Sequence, residues 1–440
     1  MTRIAVIGAG PVGCAFALAA VHALPGAQIV LIERSPAPVS DHDVLSMGAL
    51  RVSAASLDQR TATAVDYRAA ESFDKRVAVS FDKRVYALSP QSIALLHKLG
   101  VWQTIAPDRL TPIDEMHVSS DADTSSEMSG DTPTKTLPQI DFSSGSPLAY
   151  IVEHKTLMAS MTAAINGAGV TTRFATSVTS MSRSAHGVGR SLVLVDSSQA
   201  IVDTPEFDLV VAADGRQSRI RELADIDAVS KDYASVGIVA NFVCEKPHGN
   251  IARQWFTPDG VLAYLPLPGN QISIVWSVTR SFAETLPSYD QPAFATAVAS
   301  AGHMSLGQLM ASSVVDAIPL KRITAKQWVQ PGLALIGDAA HAIHPLAGQG
   351  VNLGFGDVRM LVEVIRNRPA LAGVGDLVTL RRYARAQAGA TAAMGETTDY
   401  LHSLFSKNDR VSKWVRRSGF ELFDRSGVVK RLVTEYVLRS

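Results

Sequence analysis

The chain has 440 residues, with 41 basic and 41 acidic side chains, no net charge, 47% hydrophobic and 19% charged residues. That length accommodates two or three domains, and that composition describes a packed protein and not a disordered one. Balanced charge excludes a global field that recruits nucleic acid, and two cysteines, Cys14 and Cys244, allow at most one bridge, as in a reducing compartment.

From the amino end, Ile4-Ala5-Val6-Ile7 predicts a short buried strand, Gly8-Ala9-Gly10-Pro11-Val12-Gly13 a glycine turn, and Cys14 to Ala23 a helix. No secretory leader is expected, because the chain enters its first strand at Ile4. The apolar run to Leu24 is interrupted by Gly, Pro and His, and reads as a βα unit rather than a membrane span. A second strand, Ile29-Val30-Leu31-Ile32, ends in Glu33, twenty positions after Gly13, with Arg34 beside it. An acid there hydrogen-bonds ribose hydroxyls and points away from a 2′-phosphorylated dinucleotide. Strand, glycine turn, helix and terminal acid together make Gly8, Gly10, Gly13, Glu33 and Arg34 candidate cofactor-binding residues.

The following stretch repeats itself: Ser72-Phe73-Asp74-Lys75-Arg76-Val77 recurs at Ser80 to Val85. Arg60, Arg76 and Arg84 therefore all stand in an Asp-x-Arg setting, each able to make bidentate contacts to phosphate oxygens. Residues 119 to 146, rich in Ser, Asp, Thr, Gly and Pro, read as a loop. Asp208-Leu209-Val210-Val211-Ala212-Ala213 predicts a strand running into an Asp214-Gly215 turn. Val236 to Val243, Val261 to Leu267 and Gln271 to Val278 alternate as strands of an antiparallel sheet. Gly260 to Pro268 carries almost no charge, which suits a large apolar ligand better than a small acid needing an arginine clamp, and Tyr264 is its pocket candidate.

Leu333-Ala334-Leu335-Ile336 reads as a buried strand, so Asp338 emerges at a strand's carboxyl end, where open α/β sheets bind ligands. A carboxylate there accepts hydrogen bonds from a polyol. Beyond Pro345, Gly348 and Gly350 leave bare backbone before a helix predicted over Val351 to Val364, whose free N–H groups favour partial negative charge. His341 and His344 have no carboxylate or cysteine partners at ligand spacing, so no metal is expected. From Lys413 to Ser440, apolar residues alternate with Lys413, Arg416, Arg417, Arg425, Lys430, Arg431 and Arg439. Such a tail sits on a membrane surface, on another subunit, or on its own domain.

Gly337-Asp338, His344-Pro345 and Gly348-Gln349-Gly350-Val351-Asn352, near-continuous over residues 336 to 357, resemble the flavin-binding signature of the FAD-dependent aromatic hydroxylases of ubiquinone biosynthesis, which are para-hydroxybenzoate hydroxylase-like flavin monooxygenases. Asp82 to Ser89 resembles the family's Asp-x-Arg-x-x-Ala-Leu-Ser segment and singles out Arg84. Asp208 to Arg219 resembles the Asp-Gly motif, and Gly260 to Pro268 the Gly-x-x-Ala-x-Leu-Pro segment. The resemblance implies an α/β fold: a discontinuous Rossmann-like FAD-binding domain (1–110, 150–228 and 325–400), an antiparallel-sheet substrate domain (111–149 and 229–324) and a C-terminal helical segment (401–440). It implies FAD held by Gly8, Gly10, Gly13, Glu33, Arg34, Arg84, Asp214, Gly215, Asp338, Pro345, Gly348, Gln349, Gly350, Val351 and Asn352, with Tyr264 and Pro345 as pocket candidates and no assigned catalytic base.

The implied reaction is hydroxylation of a polyprenylated phenol, with NAD(P)H reducing FAD transiently and O2 giving a flavin C4a-hydroperoxide. The implied setting is cytoplasmic, peripheral on the inner membrane, with complex partners and self-association open. Two departures stand out: residues 35 to 79 exceed the family's usual spacing, and His154-Lys155 stands where relatives carry Asn-Arg after Glu153. A hydroxylase of another small aromatic or secondary metabolite, and a non-catalytic FAD-binding scaffold of a biosynthetic complex, are the alternatives.

Overall fold

A computed structural model describes residues 1–37, 81–120, 139–185, 187–257, 260–285, 290–342, 350–389 and 391. The long spacer after Glu33, the first copy of the repeated hexapeptide, Pro345, Gly348, Gln349 and the basic tail lie outside these residues.

The amino-terminal motif builds a six-stranded sheet ordered Val329–Gln330, Leu333–Leu335, Leu209–Ala212, Arg3–Ile7, Gln28–Ile32 and Thr171–Arg173. All its pairings are parallel except that of Val329–Gln330 at the edge. Arg3–Ile7, Gln28–Ile32, Leu209–Ala212 and Leu333–Leu335 are buried almost throughout, as continuous aliphatic runs in a parallel sheet require. Helix Pro11–Ala23 is apolar over most of its surface and packs against helices Gly350–Arg366 and His154–Gly167. Cys14 and Cys244 are both buried and unpaired, so the possible bridge does not exist.

A second sheet, of nine strands, runs His341–Ala342, Asp316–Ala325, Ala228–Cys244, Gln271–Thr279, Gly260–Leu267, Ile251–Thr257, Glu115–Ser120 and Gln139–Ser143, with Leu309–Ala311 also on Ala228–Cys244. It is antiparallel except where Ile251–Thr257 meets Glu115–Ser120. One face is sealed by helix Gln291–Ala301, with Ile238, Phe242, Leu262, Tyr264, Ile274 and Trp276 packed on Phe294 and Val298. The other, inner face meets a three-stranded sheet of Val85–Leu88, Ala149–Glu153 and Leu110–Ile113 through Phe81, Ile113, Leu148, Ile151, Leu265 and Leu267.

The loop expected over 119–146 is corrected at both ends. Ser119 and Ser120 finish one strand, and Gln139–Ser143 is a strand paired to it. Its polar residues alternate with Ile140 and Phe142, the pattern of a sheet edge with one wet face. His341–Ala342 belongs to the nine-stranded sheet although it lies within the expected nucleotide segment.

Candidate functional site

The glycine turn divides its labour. A methyl group on Gly8, whose φ is +101°, would strike the backbone of Ala213 and Asp214, and one on Gly13 would strike the Gly8 carbonyl. Both glycines let chain segments touch. A methyl group on Gly10 meets nothing within 4 Å. Gly10 caps helix Pro11–Ala23, and among the described residues no side chain bonds its first turn. The place is thus an open cradle beside free helix N–H groups, which matches a pyrophosphate in shape and charge. Across the turn, Glu33 accepts from Ala9 N–H at 2.8 Å and Ser35 N–H at 2.9 Å, which fixes its carboxylate at the strand end. Arg34 beside it is exposed.

Val12 brings the distant motif in. Its side chain packs on Gly337, whose φ is +57°, and on Gly354, positions where added side chains would collide with it or crowd it. Asp338 then lies within 4.0 Å of a methyl group built on Gly350, at the start of helix Gly350–Arg366, and 3.5 Å from Arg216 Nε. The Asp214-Gly215 turn joins the same place. Arg221, buried, donates to the Arg216 carbonyl at 2.9 Å and the Ala339 carbonyl at 3.0 Å. Asp214 accepts from Ile220 N–H at 3.1 Å, and its other oxygen is buried with no partner among the described residues. Burial, chiefly, raises its pKa. Gly8 therefore touches the Asp214 turn, and Val12 the Gly337 turn, so three sequence motifs meet at one end of the parallel sheet.

Two supports of this end were not read from sequence. Asp357 is fully buried and accepts from Gly337 N–H at 2.7 Å, His341 Nε2 at 2.7 Å and Gln387 Nε2 at 2.8 Å. Burial alone would lower the His341 pKa, but the Asp357 carboxylate, with Asp338 adding to it, raises it above its ordinary value, and the ring lies tilted 4.9 Å from Trp328. The available signal was one acid on the buried side of helix Gly350–Arg366, among Val351, Phe355, Val358 and Leu361. Asn352 accepts from Ser89 N–H at 3.1 Å and Ser92 Oγ at 2.7 Å and donates to Ala87 O at 2.8 Å, so its amide clasps the Ala87–Ser92 segment. Val351 is buried.

The second unread support surrounds Arg84. The Arg84 guanidinium stands 5.7 Å over the Tyr86 ring, and it forms no ion pair with a described residue. Its segment is anchored by Asp82, whose N–H reaches Glu153 at 2.6 Å and whose carboxylate accepts from Arg84 N–H and Lys155 N–H. Arg109 neutralises Glu153 at 2.7 Å. Tyr86 Oη lies 2.9 Å from His154 Nδ1. Burial pushes the Tyr86 hydroxyl up to about 12 and, with Arg84, holds His154 below its usual value, so this pair is neutral at neutral pH.

On the inner face of the nine-stranded sheet, one row is open. Val239, Val275 and Ala263 are cross-strand neighbours and all partly exposed, with Gln254 next to Ala263. The rows on either side, Asn241–Ser273–Leu265 and Gly237–Ser277–Val261, are buried. Asp316, opposite Val239, pairs with Lys83 at 2.6 Å, and Asn241 Nδ2 donates to the Phe81 and Asp82 carbonyls. The segment leading into Arg84 therefore borders this apolar floor. Tyr264 does not reach it, which corrects its candidacy. Its hydroxyl donates to Val298 O at 2.6 Å on the helix-covered face, because alternation sends residues 262 and 264 away from 263 and 265.

Among the described residues, no group of His, Cys, Asp and Glu is placed to hold a metal, and no helix is long and apolar enough to cross a membrane.

Comparisons with known proteins agree on the family. The model of the FAD binding domain matches residues 71–394. The chain is 31% identical to the 3-demethoxyubiquinol 3-hydroxylase of Escherichia coli, over 99% of this chain and 98% of that protein. It is 30% identical to the mitochondrial ubiquinone biosynthesis monooxygenase COQ6 of Danio rerio, over 76% of this chain and 75% of that one. Among solved structures, p-nitrophenol 4-monooxygenase PnpA from Pseudomonas putida superposes with a TM-score of 0.69 at 15% identity, covering 100% of this chain and 99% of its own, and a likeness at that identity shows the fold alone. With the nucleotide cradle, the converging Asp-Gly turns and the whole-length relatives, the chain belongs to the FAD-dependent aromatic hydroxylases of the ubiquinone-biosynthesis family, and is an FAD-dependent monooxygenase.

Proposed function

We propose that this protein hydroxylates the aromatic ring of a polyprenylated phenol in ubiquinone biosynthesis, using FAD, NAD(P)H and O2. The observation that carries the substrate class is the open row Val239–Val275–Ala263: an apolar floor beside the flavin motifs, with no cation along it among the described residues except Lys83, which Asp316 already neutralises. A small aromatic acid needs a cationic clamp at such a floor, and an uncharged ring with an apolar tail does not. The relatives named above act in the same chemistry by name.

In this reading the Gly8-Ala9-Gly10 turn and the start of helix Pro11–Ala23 hold the pyrophosphate, and Glu33 the adenosine ribose, with Arg34 at its edge. Asp338 takes the ribityl hydroxyls, Asp214-Gly215 closes over the dinucleotide, and Arg84 faces a phosphate. Backbone N–H groups at Gly350 and Val351 stabilise negative charge at the flavin's pyrimidine edge, with Pro345, Gly348 and Gln349 in the loop before them. When bound, FAD supplies reduction by NAD(P)H and activation of dioxygen. The chain's own work is to orient the ring on the floor, keep water from the apolar row, and hold opposite charges in place through Arg216 and Asp338. Residues 1–110, 150–228 and 325–400 form the FAD part and 111–149 and 229–324 the substrate part. A prenylated substrate places the enzyme at a membrane surface, to which the basic 401–440 tail is suited.

The test is NAD(P)H consumption by FAD-loaded protein with a short-chain prenylphenol or with para-hydroxybenzoate. Stimulation by the prenylphenol with ring-hydroxylated product supports the reading; stimulation by the acid alone overturns the substrate class.

A further inference from the structure

We infer that Gln254 is the hydrogen-bonding group that grips the ring oxygen of the substrate and selects neutral phenols; this rests on the substrate reading above. Strand Ile251–Thr257 alternates strictly. Trp255 enters the helix-covered cluster with Tyr264, and Arg253, paired in register with Tyr264, donates to the His248 and Ile251 carbonyls. Gln254 lies on the opposite, inner face, between Ala263 on one neighbouring strand and Val118 on the other. The residue is only 8% exposed, its carboxamide forms no hydrogen bond with any described residue, and neither amide atom is fully enclosed, so the amide keeps part of what surface remains.

Covering such an amide costs free energy unless what covers it restores its hydrogen bonds. The contrast with the neighbouring row is direct. Asn241 is deeper, at 1% exposed: its Nδ2 is held by the Phe81 and Asp82 carbonyls, and its Oδ1 is enclosed with no partner among the described residues. Gln254 instead borders the open row, where Ala263 and Val275 are partly exposed. A ring lying on those two residues brings an oxygen on its edge to the Gln254 amide. A carboxamide both donates and accepts, and a neutral hydroxyl does the same, so the two match without any charge. A carboxylate or phenolate there finds no free cation among the described residues of the row and is disfavoured. Specificity of this kind is strong, because a ligand lacking the oxygen covers the amide and leaves it unpaired.

The test titrates FAD-loaded protein with 2-prenylphenol and with prenylbenzene, which lacks the oxygen, and follows the visible flavin spectrum. The wild type should bind the phenol at least about tenfold more tightly. Gln254→Met keeps the side chain's length and removes the amide. Its affinity for the phenol should fall about tenfold, with flavin content and prenylbenzene affinity unchanged. A variant that keeps the wild-type preference overturns the assignment alone. Wild-type protein that binds neither compound overturns the substrate reading and this assignment with it. Should Gln254→Met fail to load flavin, Gln254→Glu replaces it. Its phenol affinity should be low when the carboxyl is ionised and recover on acidification, when that group again donates and accepts; affinity independent of pH overturns the assignment.

Discussion

The two large sheets of this protein carry their functions in opposite ways. The site proposed at the end of the six-stranded sheet is made largely of backbone: turns at Gly8 and Gly337, a helix start at Gly10, and another at Gly350. The site proposed on the nine-stranded sheet is made of side chains, where one row stays open between two covered rows. A backbone site demands glycine at fixed places and so leaves a signature. A side-chain site on an antiparallel sheet leaves only alternation, which many cores share.

The sharpest way to break this contrast is within the glycine turn. Gly13→Val puts atoms onto the Gly8 carbonyl and should cost more than about 4 kcal/mol, read as loss of soluble, flavin-bearing protein. Gly10→Val adds a Cβ that meets nothing within 4 Å, and should change apoprotein stability by less than about 0.5 kcal/mol while abolishing flavin retention. Equal damage from both would contradict the division of roles.

Next in size is the buried support. Asp357→Asn removes the charge facing His341 and should cost about 3–5 kcal/mol in denaturant unfolding. Because the folded-state pKa of His341 is raised, its stabilising contribution is complete below the ordinary histidine value and is lost as pH climbs through the raised one. Wild-type stability should therefore decline as pH rises past the histidine range, and the Asn variant should lack that decline. Asn352→Ala leaves Ser89 N–H and Ala87 O unpaired in a buried setting and should cost about 2–3 kcal/mol, with flavin affinity weakened only through the displaced Ala87–Ser92 segment. The smallest effect belongs to Tyr264→Phe. It deletes one hydrogen bond to Val298, should cost about 1 kcal/mol, and should leave substrate-stimulated turnover unchanged. A large loss of turnover would return Tyr264 to the pocket.

Much of the nucleotide half was legible because its elements are local: the aliphatic runs at Ile4–Ile7 and Ile29–Ile32 lie in strands, that at Leu333–Ile336 is a strand through Leu335, and the helix after Gly350 begins where bare backbone was read. What escaped depends on pairing across the chain. Gln139–Ser143 looked like loop because a polar edge strand has loop composition, and only its partner Glu115–Ser120 reveals it. The Tyr86–His154 contact joins residues 68 apart, and Asn352 clasps Ser89 from 263 residues away. Tyr264 was misjudged because alternation defines two faces without saying which one helix Gln291–Ala301 covers.

The central claim, that the apolar row holds a phenol for oxygenation beside the flavin cradle, is tested most directly by turnover of 2-prenylphenol under isotopically heavy dioxygen, with mass analysis of the product. The account predicts a ring-hydroxylated prenylphenol carrying a single heavy oxygen atom. Flavin reduction that yields only hydrogen peroxide, or a product whose new oxygen comes from water, would contradict it.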